Sequence, residues 1–196
     1  LAGNVFFLAM AASQMVGVGG LSLIARSIGA RDLDQARAVY GQAMLLSLIL
    51  AVASLVLGYL FSRPALTLLA ADEGTLEAGV VYLLGFLPAV ALMFPTGIMA
   101  SALRAAGVVR PAMLIQAGTV ILNVVLAPVL VAGWGTGHAF GVFGAGLASS
   151  ISAAVGMVAT LLLFPRVQTI FAKAIPLPRP DFAQWRRVIG IGLPSA

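Results

Sequence analysis

The sequence has no cysteine, a single histidine and few charged residues. Only 9% of its 196 residues are charged, whereas a soluble domain averages about 25%. Without cysteine, neither disulfides nor thiolate metal sites can form, and a single histidine excludes most catalytic constellations. The motifs H-E-x-x-H, G-x-S-x-G and G-x-x-x-x-G-K-[ST] are also absent. We therefore expect neither an enzyme nor a metal site.

Hydrophobic residues make up 61% of the chain and form long continuous runs, with a mean hydropathy of +1.09. A soluble core cannot bury this much apolar surface, so most of the chain must lie in lipid. The runs lack the period-2 alternation of membrane strands, which argues against a barrel. We therefore predict an all-α, polytopic transmembrane helical bundle.

The net charge of +5 suggests nucleic-acid binding at first sight. The lysines and arginines, however, are few and lie at the ends of apolar runs, where membrane topology places them. All of them except Arg63 lie in the first, third and fifth connectors between predicted spans. By the positive-inside rule these connectors are cytoplasmic, and we expect no nucleic-acid partner.

The number of spans follows from the uncharged runs. The run from Pro111 to Pro165 would be roughly 80 Å long as one helix, against roughly 30 Å for a bilayer core. The glycine-rich segment Gly133–Gly141, which contains His138 as a solvated loop residue, divides it into two spans. Because the sequence starts without Met and stops inside an apolar segment, we expect a piece of a longer protein. We predict spans at about 1–27, 33–62, 76–104, 111–132 and 142–165, a cytoplasmic linker at 166–187 and the start of another span at 188–196.

Two segments have the spacing of a capping box, in which the first residue caps a helix and the fourth bonds back to it. Asp32-Leu-Asp-Gln35 would begin the second helix, and Asp181-Phe-Ala-Gln184 would begin the last one. Pro64 is predicted to mark the end of the second helix.

Polar residues within the spans are candidates for a transport pathway. On the fourth span, Gln116 and Asn123 share one helical face with Val120 and Ala127. Asn123 offers an amide near mid-bilayer, and Pro128 frees a backbone carbonyl. Together they would coordinate a cation or hold water. In the alternative reading, Asn123 makes an interhelical hydrogen bond that stabilises packing.

Other polar and small residues are assigned mainly to packing. We expect Gln14 and Gln42 to join helices, and a pathway role for Gln14 is the alternative. Glycines and serines give the fifth span a small-residue surface for close packing, on which Ser149 would also line a cavity. Three prolines are predicted to kink their helices: Pro88, Pro95 and Pro128.

Five segments together resemble the multidrug and toxic compound extrusion (MATE) transporters. Each is weak alone, but their order and spacing cover nearly the whole chain. The segments are Ile24–Ala36, Leu103–Gly107, Asn123–Pro128, Gly141–Ser149 and Gly190–Pro194.

The resemblance implies a bacterial inner-membrane protein of twelve helices in two six-helix lobes. Such a protein exchanges drug-like, often cationic substrates for Na⁺ or H⁺ by rocking between outward and inward states. This chain would be helices two to six, the linker and the start of the seventh. Its expected partners are small organic cations, the lipid bilayer, and the first helix and second lobe of the same protein. No cofactor is expected beyond the coupling ion.

One departure from the family affects the expected site. Many prokaryotic members have Asp where Ala127 stands, and the family's first-helix Asp lies outside this sequence. The carry-over of site residues therefore extends to Asn123 and, more weakly, to Ser149, which stands where Thr is common. Two alternatives to an antiporter remain: a related lipid-linked oligosaccharide or polysaccharide flippase, and a non-transporting membrane scaffold.

Overall fold

The computed structural model of the chain describes residues 2–67, 73–134, 139–167 and 180–192. These ranges contain helices and short turns and no strand, which confirms the all-α fold class. The helices are α1 (Ala2–Gly29), α2 (Leu33–Thr67), α3 (Glu73–Ala105), α4 (Val109–Ala132), α5 (Gly141–Val167) and α6 (Phe182–Gly192).

Four helices, α2 to α5, are long and apolar enough to cross a membrane within the described part of the chain. Their outer faces carry large exposed apolar side chains, such as Leu114, which is 72% exposed. Such faces suit lipid, because hydrocarbon solvates them as well as a protein core does. The predicted first span coincides with α1, which is 28 residues long and is not among these four.

The prediction that Pro64 ends the second helix is wrong. Helix α2 continues through it to Thr67, and the Thr67 hydroxyl donates to the Pro64 carbonyl at 2.8 Å. A proline removes one backbone donor and displaces one carbonyl, which a spanning helix tolerates where other groups satisfy the freed carbonyl. Helix α6 begins at Phe182, directly after the predicted cap Asp181 and inside the range predicted for the linker, of which only the two ends are described.

Both predicted N-caps are present. The Asp32 carboxylate accepts the backbone N–H of Gln35 at 2.9 Å, so it satisfies one free donor of the first turn of α2. The Asp181 carboxylate accepts the N–H groups of Ala183 and Gln184 at 2.9 and 3.3 Å. Before the first cap the chain reverses through Arg31, which adopts the left-handed conformation with φ 58°.

Helix α3 occupies the centre of the bundle. It packs against α1, α2 and α5, while α4 packs mainly against α5, and α6 lies on α1 and α2. A hydrophobic cluster, here called the basal core, joins α1, α2, α3 and α6. Its buried members are Val16, Ile24, Val39, Tyr40, Ala43, Leu46, Ile98, Ala102 and Val188.

Glycines set the distance between α3 and α5. A Cβ atom added to Gly146 would lie 2.5 Å from the Tyr82 carbonyl oxygen, and one added to Gly85 would lie 2.9 Å from the Phe143 carbonyl oxygen. The two backbones therefore touch, which any side chain at either position would prevent. The small-residue surface predicted for the fifth span is confirmed as a packing surface.

Candidate functional site

The interface of α4 and α5 brings two of the predicted site residues together. The Asn123 amide nitrogen donates to the Ser149 hydroxyl at 3.1 Å, and that hydroxyl donates to the Ala145 carbonyl at 3.3 Å. One turn before Asn123, the Thr119 side chain lies against Gly156 of α5, where an added Cβ atom would be 2.5 Å from the Thr119 hydroxyl oxygen. The pair is therefore held in a close, polar contact between two spanning helices.

In this arrangement the side-chain carbonyl oxygen of Asn123 stays available for a ligand. The side chain is half-buried, and its carbonyl oxygen accepts no hydrogen bond from the described residues. Carbonyl oxygens are the ligands that hard cations and substrate ammonium groups prefer. Both readings of Asn123 thus have a physical basis, since one end of the amide joins two helices and the other end is free to bind.

The rest of the predicted polar face of α4 is uncovered. Gln116 and Pro128 are exposed, Val120 is 58% exposed and Ala127 is half-buried. Within the described ranges, α4 contacts only α5 and a small part of α3. The face that carries Gln116 and Asn123 is therefore not sealed by other helices of the described chain.

Gln14 does not belong to this group. It is exposed on α1, and no contact between α1 and α4 occurs in the described parts of the two helices. Gln116 is seven positions from Asn123 on the same helix, which places it about 10 Å away along the axis. The structure thus unites Asn123 with Ser149, leaves Gln116 on the neighbouring surface and separates Gln14 from all three.

The three prolines named as kinks lie inside helices, Pro88 and Pro95 in α3 and Pro128 in α4. Their effect on the helix axes stays a prediction. Near Pro88 the neighbouring helices supply hydrogen bonds to the backbone of α3. The missing N–H leaves the Leu84 carbonyl without its usual donor, and the Tyr59 hydroxyl of α2 donates to it at 3.3 Å.

Sequence reasoning missed the role of Ser150. The residue is 8% exposed, and its hydroxyl donates to the Gly85 carbonyl at 2.6 Å and accepts the Ala89 N–H at 3.1 Å. A side chain of α5 is thereby inserted into the hydrogen-bond ladder of α3, next to Pro88. Pro88 was the sequence feature that could have indicated such a bond, since a spanning helix needs neighbours to satisfy the backbone groups that proline frees.

Gln42 joins helices, as expected, but through a partner that local pattern did not indicate. It is 4% exposed on α2, and its side-chain carbonyl accepts the Asp181 N–H at 3.1 Å and the Trp185 indole N–H at 2.9 Å.

His138 lies outside the described residues. Within the described part of the chain, no three His, Asp or Glu side chains form a group that could hold a metal ion.

Comparison with known proteins identifies relatives along almost the whole chain. The MatE family profile matches residues 1–129. "Multidrug export protein MepA" of Staphylococcus haemolyticus is 28% identical over 194 residues, which cover 97% of this chain and 41% of that protein. "FAD transporter" of Shewanella oneidensis is 28% identical over 182 residues, 92% of this chain and 40% of that protein.

Solved structures show the same fold. An inward-facing multidrug resistance MATE family transporter matches with a TM-score of 0.82 and 26% identity, over 100% of this chain and 43% of that one. An outward-facing one matches with a TM-score of 0.83 and 29% identity, over 99% of this chain and 43% of that one. The chain therefore spans about two fifths of the length of these relatives.

These matches identify the protein family and the cellular location of the chain. The relatives are named as export proteins and transporters rather than as enzymes. Their bacterial sources and the four membrane-crossing helices place the chain in the bacterial inner (plasma) membrane as a multi-pass protein. The resemblance read from the five sequence segments is confirmed: the chain belongs to the MatE family of multidrug transporters.

Proposed function

We propose that this chain forms most of the first lobe of a secondary active multidrug/cation antiporter. The whole protein would export drug-like, cationic organic substrates in exchange for H⁺ or Na⁺ by alternating access. One observation carries the proposal. The chain fits an inward-facing and an outward-facing transporter almost equally well along its full length, with TM-scores of 0.82 and 0.83.

That equal fit supports a lobe that keeps its shape while the transporter changes state. A unit that deformed during transport would fit one state clearly better than the other. The touching backbones at Gly85 and Gly146, and the part of the basal core that α1, α2 and α3 contribute, give helices α1 to α5 the contacts needed to move as one body. Rocking of such a body against a second lobe is the simplest way to expose a central site alternately to the two sides.

The polar edge of α4 supplies the surface that would face the pathway. Asn123 presents a free carbonyl oxygen beside Ser149, and Gln116 continues the polar edge toward the N-terminal end of α4. All the groups are neutral, so they would hold a cation by dipoles rather than by charge. The acids of the described residues lie at or near helix ends, as at Asp34 and Glu73, so the group that couples transport to an ion would lie elsewhere in the protein.

Dye efflux from vesicles that contain the full-length protein tests the proposal. A Na⁺ gradient and a pH gradient are imposed separately, and each is collapsed by its ionophore. We expect one of them to drive export of a cationic dye. Flavin adenine dinucleotide is assayed in parallel because one relative is named as its transporter. Absence of gradient-dependent movement of either compound would leave a scaffold as the better interpretation.

Paired substitutions separate the two roles of Asn123. Ser149→Ala removes only the hydrogen-bond partner, whereas Asn123→Ala removes the free carbonyl as well. We expect Asn123→Ala to reduce efflux about tenfold or more, and Ser149→Ala to reduce it much less, since binding a cation needs the carbonyl and not the partner. Equal effects of the two substitutions would assign Asn123 to packing alone.

A further inference from the structure

The first turns of α6 are built into the packing of the other helices. Val188 is 1% exposed and belongs to the basal core. A Cβ atom on Gly19 would overlap the Val188 carbonyl, and one on Gly192 would overlap the Met15 carbonyl. Helices α1 and α6 therefore cross with their backbones in contact, and this contact exists only while α6 is docked.

Gln42 anchors the start of α6 from the side of α2. Its carbonyl oxygen accepts two donors, the backbone N–H of Asp181 and the indole N–H of Trp185. The Asp181 amide belongs to the N-cap residue, so it has no acceptor within its own helix ladder. A buried side chain of α2 thus satisfies a group that α6 cannot satisfy through its backbone.

A second glutamine is placed to compete for the same amide. In a capping box the fourth residue, here Gln184, bonds back to the N–H of the N-cap residue. The Gln184 carbonyl oxygen is instead buried and has no hydrogen-bond partner within the described residues. Leaving such a group unpaired costs free energy, so the unpaired Gln184 carbonyl oxygen destabilises the docked position of α6.

We propose that Gln42 and Gln184 form a two-state switch at the N-terminus of α6. In the docked state, which the structure shows, Gln42 holds the Asp181 amide and the Trp185 indole. In the released state α6 separates from α1 and α2, Gln184 takes the Asp181 amide, and water solvates Gln42. The proposal rests on the proposed function, in which α6 leads into a second lobe that moves against this one.

The switch is tested by measuring the distance between α2 and α6 in the full-length protein. The described chain offers two exposed small residues for spin labels, Ala38 on α2 and Gly190 on α6, and the sequence has no cysteine of its own. The distance distribution between labels at Ala38→Cys and Gly190→Cys is recorded by double electron–electron resonance. The released state appears as a longer-distance population.

The two glutamines are expected to act in opposite directions. Gln42→Ala removes the docked bonds and should raise the ratio of released to docked protein by about fivefold or more. Gln184→Ala removes the cap of the released state and should lower that ratio by a similar factor. Gln35→Ala is the matched control, since Gln35 occupies the same cap position on α2 and is exposed, so the ratio should not change.

The outcomes separate this proposal from the proposed function. Opposite shifts for Gln42→Ala and Gln184→Ala support the switch, including in a protein that moves no dye. Shifts in the same direction, or no shift for Gln184→Ala, would overturn it, including in a protein that exports dye normally. Gln184→Ala breaks no bond in the docked structure, so the measurement does not depend on a variant that has lost packing.

Discussion

Substitution of Ser150 by alanine tests whether this hydroxyl of α5 stabilises the part of α3 next to Pro88. The change removes two hydrogen bonds, to the Gly85 carbonyl and from the Ala89 N–H. Ser152→Ala is a matched control on the same helix. Ser152 is 1% exposed, and its hydroxyl has no hydrogen-bond partner among the described residues.

The expected magnitude follows from what each substitution leaves behind. Interhelical hydrogen bonds in membranes average about 0.6 kcal/mol, and an unpaired buried polar group costs about 1–3 kcal/mol. After Ser150→Ala, the Gly85 carbonyl and the Ala89 N–H can partly re-form the bond of a regular helix. We therefore expect a loss of about 1–2 kcal/mol in the free energy of unfolding. Ser152→Ala loses no bond and should be neutral or slightly stabilising.

Equilibrium unfolding by sodium dodecyl sulfate, with the full-length protein in mixed micelles, measures both changes. Because the two substitutions remove the same atom from buried sites on one helix, the difference between them isolates the hydrogen bonds. Equal destabilisation by Ser150→Ala and Ser152→Ala would refute the reasoning. A loss from Ser150→Ala below about 0.3 kcal/mol, half the average interhelical bond, would refute it equally.

Three further predictions concern folding. Gly146→Leu should abolish the folded bundle because the leucine side chain has no space against α3. Gly118→Leu should fold normally because a Cβ atom there meets nothing within 4 Å. Size-exclusion profiles of the two solubilised variants are compared. Arg31→Gly should stabilise the turn before α2 by about 1 kcal/mol, since glycine adopts positive φ without strain. Asp32→Ala should cost about 1 kcal/mol through loss of the bond to the Gln35 N–H; detergent unfolding measures both.

Each of these predictions has a result that contradicts it. Normal profiles for Gly146→Leu would show that the close contact of α3 and α5 is not required. An Arg31→Gly variant less stable than the parent would show that the arginine side chain contributes more than its backbone strain removes. An Asp32→Ala variant of unchanged stability would assign no energetic role to that cap.

The spanning helices could be predicted because lipid imposes a simple rule. A helix in hydrocarbon must be long, apolar and internally hydrogen-bonded, so an uncharged run shows its position directly. The Asp32 and Asp181 caps were predictable for a similar reason, since a cap depends on residues three apart. The same rule misled at Pro64, because proline ends helices in water more reliably than near the end of a spanning helix.

The contacts between helices could not be predicted from the same patterns. Ser149 and Ser150 are neighbours in sequence, yet one bonds to Asn123 of α4 and the other enters α3. Which serine faces which helix depends on a rotation of about 100° per residue and on the α3–α5 crossing that the glycines set. The bond between Gln42 and Trp185 joins residues 143 positions apart, where no local pattern applies.

The position of α4 at the side of the bundle has a consequence for synthesis. Its described contacts are mainly with α5, which leaves the ribosome after it. During that interval Thr119 and Asn123 face hydrocarbon without the small-residue surface that later covers them. Helix α4 should therefore stay next to the insertion machinery until α5 has been synthesised, so that the two helices enter the bilayer together.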